Sequence, residues 1–262
     1  MQIIEIKDKV IIEQFLRKDT FLNIYSIGDL DDFFYPKTQW FALISDNQIR
    51  AILLIFNDIQ FPVLLALNKQ KLDVDFETIR RLTKLIPKKF YAHLTADFKV
   101  LLNKFYESRS YGMLYKMGLT NYSLINGVDT SGVLQLNRED ENEILNLYKI
   151  SYSNNWFNNR MLDTHQYYGI KKDNKLISIA GVHVYSKEFR VAALGNITTL
   201  PDYRNRGLAK IVVSKLCKSL LKNTDHIGLN VHKENIGAIK LYENLGFTIN
   251  GEYEECMLTL KK

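Results

Sequence analysis

The stretch Tyr203-Arg204-Asn205-Arg206-Gly207-Leu208-Ala209 sets two arginines and a glycine where a strand gives way to a helix. Upstream, residues 191–199 (VAALGNITT) read as a strand, and Pro201-Asp202 turns the chain. Downstream, Leu208, Ile211, Val212, Leu216 and Leu220 recur at helical spacing and form one apolar stripe. The stretch is therefore a connection into a helix N-terminus. There the first backbone N–H groups lack intrahelical partners and the dipole end is positive. Gly207 lets the backbone approach a ligand closely, and Arg204 and Arg206 add charge. Together they suit a phosphate or pyrophosphate. The plainer reading is a solvated basic turn. The stretch is neither a Walker loop nor a GxGxxG loop.

The wider composition is that of a globular protein. The chain has 262 residues, 46% hydrophobic and 24% charged, enough for one large domain or two of about 130 residues. A net charge of +6 suits an anionic small ligand. No dense Lys/Arg block appears, so nucleic acid is not an expected partner. Cys217 and Cys256 have no CxxC spacing and are expected to be reduced and structural. The five histidines (93, 165, 183, 226, 232) lack ligand spacing, so no metal is expected. The N-terminus carries charges among its apolar residues, unlike a signal peptide. The longest apolar runs, 51–56 and 63–67, fall short of a membrane span. The expectation is a soluble, cytoplasmic protein.

Periodicity gives an order of elements that occurs twice. In each half a strand and a helix precede three strands, then a helix, a strand, a helix and a closing strand. The three strands are 40–45, 49–56 and 61–67 in the first half, and 167–172, 176–186 and 191–199 in the second. Asp46-Asn47-Gln48-Ile49 and Asp173-Asn174-Lys175-Leu176 both read as hairpin turns. In the first half, helices are expected at Lys9–Arg17, Phe76–Leu85 and near Phe98–Tyr106, followed by a short final strand. The reading is two tandem α/β domains, 1–128 and 129–262, joined through the turn-forming residues 126–132 (NGVDTSG).

Arg204-Asn205-Arg206-Gly207-Leu208-Ala209 resembles the [QR]-x-x-G-x-[GA] signature of the GNAT N-acetyltransferase superfamily. About thirty residues on, Asn235 to Phe247 (NIGAIKLYENLGF) is similar to its second signature, N-x-x-A-x-x-L-Y-x-x-x-G-F. The resemblance covers roughly residues 132 to 258. It implies a twisted mixed, mainly antiparallel sheet flanked by helices in each half. The first half has the element order but neither motif, and resembles a degenerate copy.

The resemblance also implies roles. Acetyl-CoA would lie where the fourth and fifth strands of the second domain splay apart. Backbone groups of Ile197, Thr198 and Thr199 would meet the pantetheine arm and the thioester. Backbone N–H groups across Asn205, Arg206, Gly207, Leu208, Ala209 and Lys210 would hold the pyrophosphate. Asn235 would contact the cofactor or act as a plain N-cap. Tyr242 would protonate the departing thiolate, and Asn196 would orient substrate or a water. The implied reaction is direct attack of an amine, from a small molecule or a peptide, on acetyl-CoA, by a monomer or homodimer. A non-catalytic acyl-CoA-binding protein and a transferase of longer acyl groups are the alternatives. The usual strand glutamate is missing: residues 191–199 hold no carboxylate, and Asn230 stands where a glutamate often does. His183 is a candidate base. The polar-aromatic run Tyr152 to Tyr168 is a candidate wall of the acceptor pocket.

Overall fold

A computed structural model describes residues 1–57 and 61–261. Two compact units emerge. The first comprises Met1–Lys116, Val231–Glu234 and Ile249–Lys262; the second comprises Met117–Asn230 and Asn235–Thr248.

The first unit contains β1 (Gln2–Glu5), α1 (Lys9–Leu16), α2 (Ile24–Gly28), β2 (Thr38–Ser45), β3 (Gln48–Phe56) and β4 (Val63–Ala66). Then follow α3 (Phe76–Leu85), β5 (Lys89–Leu94), α4 (Ala96–Leu102) and most of β6 (Tyr106–Leu119). Its sheet runs β1-β2-β3-β4-β5, antiparallel except for β4 beside β5. A parallel pair needs a crossover, and α3 supplies it. One sheet face packs Phe41, Leu53, Leu64, Ala92 and Leu94 against Ile79, Leu82 and Phe98 of α3 and α4.

The second unit contains α5 (Ser123–Asn126), β7 (Leu134–Gln135), α6 (Glu141–Ser151), β8 (Tyr168–Lys172), β9 (Lys175–Ser186) and β10 (Val191–Thr199). Then follow α7 (Leu208–Leu220), β11 (His226–His232), α8 (Ile236–Glu243) and the start of β12 (Phe247–Leu260). β7, β8, β9 and β10 pair antiparallel in that order, and β10 pairs parallel with β11. Here α7 makes the crossover. The same plan thus occurs twice. Both hairpin turns are made alike: Asp46 and Asn47 (φ 53 and 58) match Asp173 and Asn174 (φ 49 and 57). Two successive left-handed residues are what a two-residue type I′ hairpin demands, and Asp and Asn tolerate that conformation.

Several elements differ from their sequence reading. The helix expected near Phe98–Tyr106 lies earlier, at Ala96–Leu102, started by Thr95 in extended conformation. The short final strand of the first half is the fourteen-residue β6. The buried stripe of α7 is Val212, Val213, Leu216, Cys217 and Leu220, while Leu208 and Ile211 of its first turns are half-buried. The stretch 126–132 belongs to the second unit, where Ile125 is buried and the Lys218 ammonium donates to the Val128 carbonyl at 2.8 Å.

The sequence reading divides the chain at 128/129, whereas the compact units divide it first at 116/117. They also assign the second half of β12 to the first unit, where Glu254 to Thr259 pair antiparallel with Leu94 to Lys89 of β5. Cys256 and Leu258 enter that unit's core. Burying a side chain of leucine size stabilises by about 1.5–3 kcal/mol, so the exchanged strand is part of the first unit's stability.

Candidate active site

The site grows from an irregularity in β10. The β10–β11 ladder pairs Val191–Leu194 with His226–Leu229 and stops there, although both strands continue. On its other edge, β10 pairs Gly195 with Gly181 and next Thr198 with Ile179, so two residues, Asn196 and Ile197, oppose one. That is a β-bulge, which re-aims backbone groups and breaks pairing. Asn196 takes the left-handed conformation there, φ 54.

Two buried tyrosines hold Asn196. The Tyr148 hydroxyl donates to its backbone carbonyl at 2.8 Å. Its side-chain NH₂ donates to the Tyr167 hydroxyl at 2.9 Å. Glycines make room for the rings: a Cβ on Gly181 would collide with Tyr167, and one on Gly195 would collide with His183. Phe157 packs between the two tyrosines, with centroids 5.4 Å from Tyr148 and 5.6 Å from Tyr167. The run from Tyr152 to Tyr168 thus places Phe157 and Tyr167 beside the bulge. Tyr148, on α6, was missed in the sequence because a lone tyrosine in an amphipathic helix reads as packing.

Beyond β10 the chain enters α7 through the basic stretch. Asn205 (φ 60) and Gly207 (φ 77) are both left-handed. Gly207 is the N-cap, and no side chain caps the helix. The first-turn N–H groups therefore lack both an intrahelical and a side-chain acceptor. A Cβ on Gly207 would meet nothing within 4 Å, so the space above it is open. The arginines also serve the loop: Arg204 Nε donates to the Thr199 carbonyl at 3.1 Å, and an Arg206 Nη donates to the Asp202 carbonyl at 2.9 Å. Thr199 and Thr198 use their hydroxyls within the unit, on Ser178 Oγ at 2.9 Å and the Ser151 carbonyl at 3.4 Å.

α3, the matching helix of the first unit, is built differently at its start. Its N-cap is Asp75, whose carboxylate accepts from Thr78 N at 2.8 Å. Hydrogen bonds from Thr78 hold that carboxyl well below the usual range. A fixed negative charge fills the position where an anion would sit.

Asn235 caps α8, accepting from Ala238 N at 3.2 Å through its side-chain oxygen. Tyr242, two turns later, is 7% exposed and packs edge-on against Phe247 at 5.8 Å. Burial, helped by the proximity of Tyr152 and Cys217, pushes its hydroxyl far above the ordinary tyrosine range. The structure places Asn196, Ile197, Thr198 and Thr199 on one strand whose end leads into the Arg204–Lys210 turn. Among the described residues no cluster of three or more His, Cys, Asp or Glu could hold a metal ion.

The β10–β11 ladder thus ends beside a bulge, and β10 leads into an uncapped helix N-terminus. Residues 132–247, in the second half of the chain, match the acetyltransferase (GNAT) family. The fold is shared across the full length with solved structures of low identity. A Drosophila protein superposes with TM-score 0.73 at 12% identity, covering 98% of each chain. A GNAT-family acetyltransferase from Colwellia psychrerythraea has TM-score 0.59 at 13% identity, covering 100% of each. A tandem GNAT protein from the clavulanic acid biosynthesis pathway has TM-score 0.57 at 11% identity, covering 98% of this chain and 97% of its own. No curated protein matches this chain. The family match of the second half supports an acyltransferase, and the chain as a whole shares its fold with a tandem GNAT protein. No described helix is long and apolar enough to cross a membrane.

Proposed function

We propose that the second unit transfers an acetyl group from acetyl-CoA to an amine by direct attack, and that the first unit is a degenerate copy that binds no acyl-CoA. The observation that carries this reading is the meeting of two features on one chain segment: the divergence after Leu194 and Leu229, and the uncapped α7 N-terminus at Gly207.

The residues divide the work as follows. N–H groups from Asn205 to Lys210 take the pyrophosphate, aided by the helix dipole. The Asn235 amide, whose oxygen serves as the cap, offers its NH₂ to the cofactor. The edge of β10 from Ile197 to Thr199, no longer paired with β11, takes the pantetheine arm and polarises the thioester carbonyl. Oriented N–H donors at such an oxyanion supply about 3 kcal/mol. Bringing amine and thioester together supplies much of the rest. The neutral amine attacks the carbonyl carbon, the tetrahedral oxyanion collapses, and the C–S bond breaks. Tyr242, kept protonated by burial, gives its proton to the departing CoA sulfur. His183, whose ring stands over Gly195 beside the bulge, takes the proton lost by the amine, directly or through water. This imidazole replaces the strand glutamate that β10 and β11 lack. We assign the protein to the cytoplasm and the acceptor to small molecules or peptides bearing a free amine.

The test is thiol release from acetyl-CoA by the full chain over a panel of amines. Release that depends on one class of amine is expected. Flat traces with every amine, alongside tight acetyl-CoA binding, would support a non-catalytic acyl-CoA-binding protein, the reading favoured by the missing glutamate. Release only with longer acyl-CoA thioesters would transfer the assignment to that acyl class.

A further inference from the structure

The bulge leaves one polar atom unused. Asn196 is 2% exposed, and its Oδ1 is buried with no hydrogen-bond partner. A buried amide oxygen without a donor is costly unless a ligand or water supplies one. Which end of the amide points where follows from its neighbours. The end facing Tyr167 also lies 3.5 Å from the Met161 sulfur, and a thioether only accepts. The Tyr167 proton has its own acceptor in the Val182 carbonyl at 3.1 Å. Both contacts require NH₂ at that end and direct Oδ1 the other way. Tyr167 is itself held by the void at Gly181. The Asn196 backbone is independently tied by Tyr148, so the side chain has little freedom to turn over. On β11, Asn230 is the first residue past the ladder, level with Gly195, and its Oδ1 is likewise buried and unpartnered. Two acceptor-only oxygens thus flank the divergence on adjacent strands.

We propose that Asn196 Oδ1, aimed by Tyr167 acting as a positioning residue, accepts a hydrogen bond from the N–H of the acyl acceptor, so that the site selects a nucleophile with hydrogens to donate. This deepens the reading of the second unit as an amine acyltransferase and rests on it. A primary amine keeps a hydrogen for Asn196 after losing one to the base. A matched alcohol has only the proton that it must lose, and a carboxylate has none to give.

The test is a double-mutant cycle on the full chain. The probe is whichever of benzylamine, phenethylamine, glycinamide or spermidine gives the fastest thiol release from acetyl-CoA. Asn196→Gly keeps the left-handed backbone accessible and removes the amide. Tyr167→Phe keeps the ring over Gly181 and removes the hydroxyl. Each single variant is expected to lower kcat/KM for the amine by about tenfold or more, with the acetyl-CoA KM within about twofold. Because Tyr167 acts through Asn196, the double variant falls no further than the worse single one. Additive losses, an unchanged Asn196→Gly, or parallel movement of the acetyl-CoA KM would overturn the proposal while leaving acyl transfer intact. No release with any amine, with acetyl-CoA still bound, overturns the acyl-transfer reading and this one together.

Discussion

The Tyr242 hydroxyl sits where burial disfavours phenolate, so it stays protonated throughout the neutral range. The acid role we propose for it belongs to the transition state, when charge collects on the leaving sulfur. Tyr242→Phe keeps the ring against Phe247. It should lower kcat by about 10²-fold while changing the acetyl-CoA Kd by less than about threefold. An unchanged kcat, measured where chemistry limits the rate, would leave Tyr242 as packing alone. A second residue-scale consequence lies in the first unit. The Lys116 ammonium is fully buried between the rings of Tyr25 at 4.4 Å and Tyr253 at 4.8 Å. Burial lowers it from 10.5 to about 7, against the opposing pull of Glu255 and Asp29. Burial raises Asp29 from 3.8 to about 8, against the pull of Lys116. Between pH 7 and 10.5 the unfolded chain holds a proton that folded Lys116 has lost, so this group makes stability rise with pH. Between pH 3.8 and about 8 folded Asp29 holds a proton that the unfolded chain has lost, so this group makes stability fall. The two slopes meet near pH 7 to 8 in a shallow minimum. Thermal melts of the wild type should climb by several degrees from pH 8 to 9.5, and those of Lys116→Met should not. Equal slopes in both would mean that Lys116 is charged above pH 8.

At the scale of elements, two helix starts carry the asymmetry between the units. α7 opens with an uncapped glycine and α3 with an aspartate cap. Gly207→Ala forces an L side chain to φ 77, at a cost of about 1 kcal/mol. Acetyl-CoA affinity should fall further than that strain alone accounts for, because a methyl group intrudes on the open space. Isothermal titration read beside a melting curve separates the two effects, and equal losses in both would contradict the anion site. This element was legible in the sequence because strand, turn, glycine and apolar stripe lie within about thirty residues, and local chemistry decides them. The type I′ turns at Asp46-Asn47 and Asp173-Asn174 were legible for the same reason. The bulge at Asn196 was not. Its left-handed conformation depends on Tyr148 and Tyr167, which are 48 and 29 residues away, and on two glycines that only cross-strand register relates. Arg204 and Arg206 were read for their charge, and their bonds to loop carbonyls depend on a turn geometry that spacing does not reveal.

At the scale of the molecule, β12 is the element that the sequence concealed. Its alternation marks a strand, but nothing local to residues 249–262 states which half of the chain it completes. Because Glu254 to Thr259 pair with β5, residues 1–128 expressed alone should lack a core strand and melt poorly or not at all. A peptide of residues 249–262 added in trans should restore cooperative melting. A stable fragment without it would contradict the exchange. The central claim, however, is that one acyl-CoA site exists and lies at the start of α7. The most direct measurement is an isothermal titration of acetyl-CoA into the full wild-type chain and into Gly207→Glu, whose folding is checked by near-UV circular dichroism. The account predicts one site per wild-type chain and no measurable binding to a folded Gly207→Glu. Two sites per chain, or undiminished affinity in the variant, would contradict it.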